Sequence, residues 1–362
     1  MRKFIEKILK EDFKENYENI FQNSELLQYI DKKTNAITGN SKSRKNLGNI
    51  YAIYAFLYFY SEKFYNNPQK YKKFEGFEYN DLWHFCKKQY GGEKIQNHAL
   101  NNRLNTEFAN KVAKDPEKML LIINGSKYLM HIDYIYVNGI DISLSVLKII
   151  RKYIELLYEK DMKLISDLED LMQEKDINKK KSKIVDLLDE NSEARIFEII
   201  SFAILKSYYK NEKIYIGRSI DNIKEEYLKL YKTGRTNAND GGIDFVMKPL
   251  GRFFQVTEVD NYDKYLLDMD KVLHFPITFV VKTNKNRETI EEELKQYILL
   301  KSGGMEAIIN NYKNSIEEII TINELKIWLN KLSLDDINLI IKDIDLYYRI
   351  EMNMELLGDI DE

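Results

Sequence analysis

Apolar residues recur at helical spacing through the first 33 positions: Phe4, Ile5, Ile8, Leu9, Phe13, Tyr17, Ile20 and Phe21. That period predicts amphipathic helices. Thr34 to Asn49 interrupts it with Asn, Gly, Ser and Lys. From Asn49 to Tyr65 a helix is expected with aromatics almost all round: Tyr51, Tyr54, Phe56, Tyr58, Phe59 and Tyr60. A helix apolar on most faces belongs in a core, a reading favoured over an aromatic base-stacking surface. Tyr79 to Val112 predicts two helices, over Asn80 to Lys88 and over Glu93 to Val112, about a Gly91-Gly92 turn. Two helices around a glycine turn look like a helix-turn-helix. Leu120 to Ile123 and Ile132 to Val137 are strand-like, with Asn124-Gly125 and Asn138-Gly139 turns, and could form the wing of a winged helix. Ile142 to Tyr158 predicts a helix. Asp161 to Glu190 predicts a charged helical stretch, of the kind that forms solvated faces or domain connectors.

In the second half, Ser192 reads as the N-cap of a helix whose Ile196, Phe197, Ile199, Ile200 and Phe202 bury it on most sides. A short strand is expected over Lys213 to Gly217 and a helix over Ser219 to Tyr231. At GGIDFVMKPLGRFFQVTE, Gly241 to Glu258, the period changes to two. Ile243 to Lys248 and Arg252 to Val259 read as strands about a Pro249-Leu250-Gly251 turn. A two-residue hairpin sets Lys248 opposite Gly251 and Asp244 opposite Gln255, with Cβ atoms about 5 Å apart. Thr257 then shares the face of Gln255. Asn261 to Phe275 predicts a helix and Pro276 to Lys282 a buried strand. Glu288 to Glu351 reads as helical, broken at Ser302-Gly303-Gly304 and Ser333.

A chain of 362 residues, 44% hydrophobic and 31% charged, suits a soluble globular protein of two domains. The net charge of −3 announces no nucleic acid globally, so a DNA reader needs local basic patches. The single cysteine, Cys86, supports neither a disulfide framework nor a zinc cluster, and suits a reducing compartment. The N-terminus lacks a signal-type apolar core. The stretch from Ile50 to Tyr60 is too short to span a bilayer. A cytoplasmic location without membrane contact is expected.

Several residues carry candidate chemistry. Glu198 lies inside an apolar helical run, where a carboxylate is costly unless it meets a cation or a metal. Lys94, Gln96, Asn97, Asn101 and Arg103 stand on the second helix of the Gly91-Gly92 pair. Asn, Gln and Arg make paired hydrogen bonds to adenine and guanine edges; a polar solvent face is the alternative. Lys42, Arg44 and Lys45 form a basic run that could contact phosphates, or a solvated loop. His84 and His98 lack partners at metal-ligand spacing. No phosphate loop, Ser-His-Asp or Cys-His arrangement is present.

The constellation of Asp244 on one strand with Gln255 and Thr257 on the next resembles the metal site of the PD-(D/E)xK nuclease superfamily. There an Asp opens one strand, and Glu-x-Lys or Gln-x-Lys lies on the next. Glu198 matches the further Glu that these nucleases carry on a preceding helix. Thr257 departs from the pattern, standing where the family has Lys. The resemblance covers roughly a third of the chain. Within the superfamily, the run from Lys232 to Asp244 looks most like type II restriction endonucleases of the ApaLI-like group.

The resemblance implies an α/β (α+β) fold, a restriction-endonuclease-like core with a mixed central sheet flanked by helices. It implies a largely α-helical N-terminal domain over 1–190, the core over 191–300, and C-terminal helices packed on it over 301–362. Mg2+ would be held by Asp244, Gln255 and Glu198, with Lys248 or Arg235 replacing the usual lysine. Arg235, Asn237 and Asn239 would join the DNA contacts. The implied activity is site-specific cleavage of double-stranded DNA by a homodimer, alongside a cognate DNA methyltransferase in the same restriction-modification system. A repair or recombination nuclease of the same fold, and a catalytically inactive DNA-binding module, are the alternatives.

Overall fold

The computed structural model describes residues 1–38, 45–95, 100–234, 243–258 and 261–352. The chain divides into two compact units, Met1–Lys163 and Leu164–Glu362. The division falls inside one long helix, Ser143–Gln173, upstream of the boundary expected at residue 190.

In the first unit the aromatic helix α1 (Leu47–Phe64) is the core element. Tyr51 and Tyr60 are fully buried, and each hydroxyl has an acceptor. Tyr51 donates to Tyr90 O at 2.5 Å and Tyr60 to Asp141 Oδ2 at 2.8 Å, so burial leaves neither polar tip unpaired. There follow β1 (Phe77–Glu78), α2 (Tyr79–Lys87), α3 (Asn102–Lys111), β2 (Leu121–Asn124) and β3 (Lys127–Met130). The three strands form an antiparallel sheet in the order β1-β3-β2. Gly125, at φ +61°, gives the β2–β3 turn the left-handed backbone it needs. The helix expected over Glu93 to Val112 is shorter. A 3-10 turn spans Gly92–Lys94, Ile95 is extended, and α3 starts only after Asn101 caps it. Ile132 to Val137 is not one strand. A helical turn, Ile132–Ile135, precedes Tyr136–Val137, which pairs with Ile140–Asp141 across Asn138-Gly139.

The second unit is a mixture of helix and sheet. Helix α4 (Ala194–Tyr209) precedes a two-stranded hairpin, β4 (Lys213–Ile216) and β5 (Lys224–Tyr227). Then come β6 (Lys229–Lys232), β7 (Phe245–Lys248), β8 (Arg252–Thr257), helix α5 (Tyr262–Lys271), β9 (Ile277–Val281) and β10 (Ile316–Ile320). Strands β6 to β10 form one five-stranded sheet in chain order, antiparallel from β6 to β8 and parallel from β8 to β10. The β7–β8 ladder has the expected register, Arg252 opposite Met247 and Phe254 opposite Phe245. Helix α4 covers one face, where Phe202 meets Phe245 at 5.2 Å. Helix α5 covers the other, where Tyr265 meets Phe279 at 4.9 Å.

Two expectations fail here. Ser219 to Tyr231 is not a helix: Leu228 and Leu230 are buried while Lys229 and Tyr231 are exposed, the period of a strand. The region after Glu288 is not all helix either, because Ile316–Ile320 joins the sheet edge as β10. Among the described residues no helix is long and apolar enough to cross a membrane.

Candidate functional site

Strand directions gather polar residues at one end of the five-stranded sheet. Strand β6 ends there at Lys232, β7 begins just after Asp244, β8 ends at Thr257 and β9 at Val281. The start of α4 reaches the same end. Lys232 Nζ lies 2.7 Å from Glu198 Oε1. Lys282, which follows β9, places Nζ 2.6 Å from Glu258 Oε1 and donates to Ser192 O at 2.9 Å. About a tenth of the Glu198 and Lys232 side chains is exposed, so that pair is largely shielded from solvent; Lys282 is buried but its partner Glu258 is 37% exposed, so the second pair is partly screened.

Asp244 joins two strands at this end. Its N–H donates to Phe254 O at 2.9 Å, and its carbonyl accepts from Thr233 N–H at 3.0 Å. Its carboxylate Oδ2 accepts from Val256 N–H at 2.7 Å. The β7–β8 ladder has ended by then, at Phe254 opposite Phe245. Thr257 O accepts from Lys282 N–H on the β9 side, and backbone groups alternate between neighbours along a strand. The Val256 N–H therefore faces the β7 side, beyond the end of that strand. The carboxylate takes the place of the missing ladder partner.

The faces of the sheet separate the sequence-predicted ligands. Phe245 points toward α4, and its cross-strand partner Phe254 shares that face. Alternation then turns Gln255 and Thr257 toward α5, beside their partners Phe279 and Val281. Glu198 lies on the α4 side. The set Asp244, Gln255 and Glu198 is thus not brought together around one ion. Gln255 and Thr257 are nearly fully buried, and among the described residues Gln255 Oε1 and Thr257 Oγ1 have no hydrogen-bond partner. Lys248 is at the opposite end of β7, exposed, with Nζ 5.1 Å from the centre of the Tyr231 ring. Arg235, Asn237 and Asn239 lie outside the described residues. Among those described, no three or more His, Cys, Asp or Glu side chains are grouped to hold a metal. Lys232, Glu258 and Lys282 were not singled out by sequence. For the two lysines the signal was a lysine closing a strand, in KLYK and ITFVVK.

In the first unit, Lys94 lies in the 3-10 turn, and Gln96 and Asn97 fall outside the described residues. Asn101 spends its side-chain oxygen on capping α3, accepting from Arg103 N–H at 2.9 Å. Arg103 is exposed in the first turn, on a face with Asn102, Thr106 and Asn110. Glu107 turns away from them to Lys33 and to Asn49 Nδ2, the latter at 2.6 Å. Burial pushes the Glu107 carboxyl up, but the Lys33 hydrogen bond and charge outweigh it and hold the group below its ordinary value. The buried Asn105 ties α3 to β2 through both main-chain groups of Leu121. Lys42 and Arg44 lie outside the described residues. Lys45 is held by Asp161 at 2.8 Å, with 14% of its side chain exposed, so it has an internal partner instead of a free phosphate-binding head. Burial pushes the Cys86 thiol up to about 12, which makes it a poor nucleophile.

The orphaned oxygens generate a prediction. A buried acceptor without a donor costs about 1–3 kcal/mol. Thr257→Val and Gln255→Met should therefore leave the urea unfolding free energy unchanged or raise it by about 1 kcal/mol. A loss of more than about 2 kcal/mol in either would show that the oxygen has a partner in solution. No protein-family model matches this chain, and neither a curated protein nor a solved structure matches it.

Proposed function

We propose that the chain is a Mg2+-dependent nuclease of the PD-(D/E)xK type that cuts double-stranded DNA, most simply as a restriction endonuclease. The observation that carries this reading is the convergence of Asp244, Glu198–Lys232 and Glu258–Lys282 at one end of a mixed sheet. The element order supports it: helix, three antiparallel strands, helix, parallel strand is the order expected of that nuclease core. The site would differ from the one read in sequence. Glu258, on the α4 side two residues beyond Val256, replaces Gln255 beside Asp244.

The donors available suit the ion. Mg2+ takes oxygen ligands and typically uses one or two carboxylates together with substrate phosphates. Asp244 and Glu258 would hold it, and when bound it would polarise the scissile phosphate and lower the pKa of a water. The chain's own groups do the rest. The Val256 N–H fixes the Asp244 carboxylate, Lys282 positions Glu258, and Ser192 O anchors Lys282 to the start of α4. Lys232 and Lys282 supply the positive charge that the family draws from the lysine replaced here by Thr257, and stabilise charge developing on the phosphate. Thr257, turned toward α5, has a packing role.

The first unit would recognise the DNA. Helix, strand, helix, helix and hairpin, with the sheet order β1-β3-β2, is the arrangement of a winged helix, with β2–β3 as the wing. Helix α3 offers Asn102, Arg103, Thr106 and Asn110 on its outer face, and its one acidic residue is turned inward. Amides and arginine read base edges in the major groove. One observation favours a second reading, a DNA-binding module without activity: both lysines at the sheet end already have carboxylate partners.

Asp244→Asn and Glu258→Gln should each lower single-turnover cleavage of plasmid DNA at least 100-fold and remove the rise in melting temperature caused by Mg2+. Lys282→Met should cost about 10²–10³-fold in rate, as for loss of a charge-stabilising donor, with DNA binding in Ca2+ retained. Wild-type rates in all three would reject the site. Wild-type protein that binds DNA but never nicks it would select the second reading. Arg103→Ala should reduce discrimination between the preferred site and a one-base variant by about 1–3 kcal/mol. An equal loss on every sequence in a binding titration would assign Arg103 to phosphate contact.

A further inference from the structure

Helix α4 covers one face of the outer strands β6 and β7, the face of Phe245. On the other face α5 packs on β9, where Tyr265 meets Phe279, and among the described residues the outer strands stay open. The register lays two rows of side chains there. Lys229 stands opposite Lys248 in one row, and Tyr231, Val246 and Phe253 stand side by side in the next. Alternation from Phe245 puts both rows on the same face. Lys229 and Lys248 are exposed, Tyr231 is 46% exposed, and Val246 and Phe253 are half-buried. Phe275, 62% exposed, comes two residues before Ile277, the β9 partner of Phe253. Its ring lies 6.3 Å from that of Phe253.

Two features of this face point to a ligand. Like charges directly opposite each other in a ladder repel, and among the described residues neither Lys229 nor Lys248 forms an ion pair. An anion seated between them relieves that repulsion. Lys248 Nζ lies 5.1 Å from the centre of the Tyr231 ring, a cation–π contact that keeps the ring beside the charge. The second feature is the exposed aromatic surface. Tyr231 and Phe253 are two strands apart, about 10 Å, and Phe275 extends that surface on the far side.

Aromatic rings beside lysines on an open sheet face suit unpaired bases, which stack on the rings while their phosphates meet the cations. A duplex keeps its base faces in its own stack, and an acidic peptide brings charge without planar groups. We propose that this face binds single-stranded nucleic acid, with bases on Tyr231 and Phe275 and phosphates at Lys229 and Lys248. Stacking of this kind is sequence-tolerant. Lys248 is four residues along β7 from Asp244, about 13 Å, so the proposal is independent of the nuclease reading.

Fluorescence anisotropy of the full chain with labelled twelve-nucleotide oligothymidylate and oligouridylate, in EDTA so that no strand is cut, tests it. The wild-type protein should bind, and the tighter of the two oligonucleotides identifies the sugar it prefers. Tyr231→Ala and Phe275→Ala should each raise Kd at least about fivefold, the low end for a lost base stack, while Tyr231→Trp keeps the affinity. Lys229→Gln combined with Lys248→Gln should lower the slope of log Kd against log salt by about 1.4, as for two single-strand phosphates. Neither alanine variant should change binding of a duplex of the same length, and polyglutamate should not compete. Urea unfolding shows whether each variant keeps its fold; the exposed lysine pair carries the test if an alanine variant does not. Wild-type protein that binds neither oligonucleotide would overturn the proposal, as would single-strand binding indifferent to these variants. Equal losses on single strand and duplex would reduce the face to a phosphate patch, and competition by polyglutamate would make it a peptide-docking surface; either result also overturns the proposal.

Discussion

The polar end of the second unit depends on one mismatch of lengths: β8 runs past the end of its ladder with β7. A backbone N–H left over at Val256 would cost about as much as any buried donor without a partner, on the order of 1–3 kcal/mol. The Asp244 carboxylate satisfies it at 2.7 Å, and in doing so is fixed at the sheet's end. Around that point the ends of β6 and β9 bring in Lys232 and Lys282, each with a buried or half-buried carboxylate. The same contact therefore serves stability and prepares a charged site. Removing it would free both the strand end and the carboxylate.

What was legible in the sequence follows from the range over which each signal acts. The β7–β8 register was legible because alternation fixes which residues face each other, and Gly251 at φ +69° closes the turn. The face on which Gln255 and Thr257 lie was not legible. It depends on which side α4 takes, and that is set by tertiary packing of Phe202 on Phe245. The pairing of Lys282 with Glu258 was hidden for the same reason, since parallel strands joined by a helix leave no local trace of their register. The helix expected over Ser219 to Tyr231 gives way to strands, where burial of Leu228 and Leu230 with Lys229 exposed between them sets a period of two.

In the first unit the aromatic helix was read correctly as core, since a helix apolar all round has nowhere else to go. The length of the second glycine-flanked helix was overestimated. Its polar run gave no period to mark where it begins, and the true start is fixed by the side chain of Asn101. The outward face of α3 became visible only with the inward turn of Glu107 to Lys33 and Asn49. Composition would have counted that acid against a DNA-reading helix.

The central claim is that the end of the sheet, and not the α5 side under Gln255, is where a divalent ion and a phosphate meet. Paramagnetic broadening by Mn2+, followed on backbone amides, reports that location directly. The account predicts that the amides of Val256 and Glu258 broaden first, together with that of Thr233, and that Asp244→Asn abolishes the effect. Broadening centred on α5 residues such as Tyr265 and Asp268, or none at concentrations that saturate DNA cleavage, would contradict it.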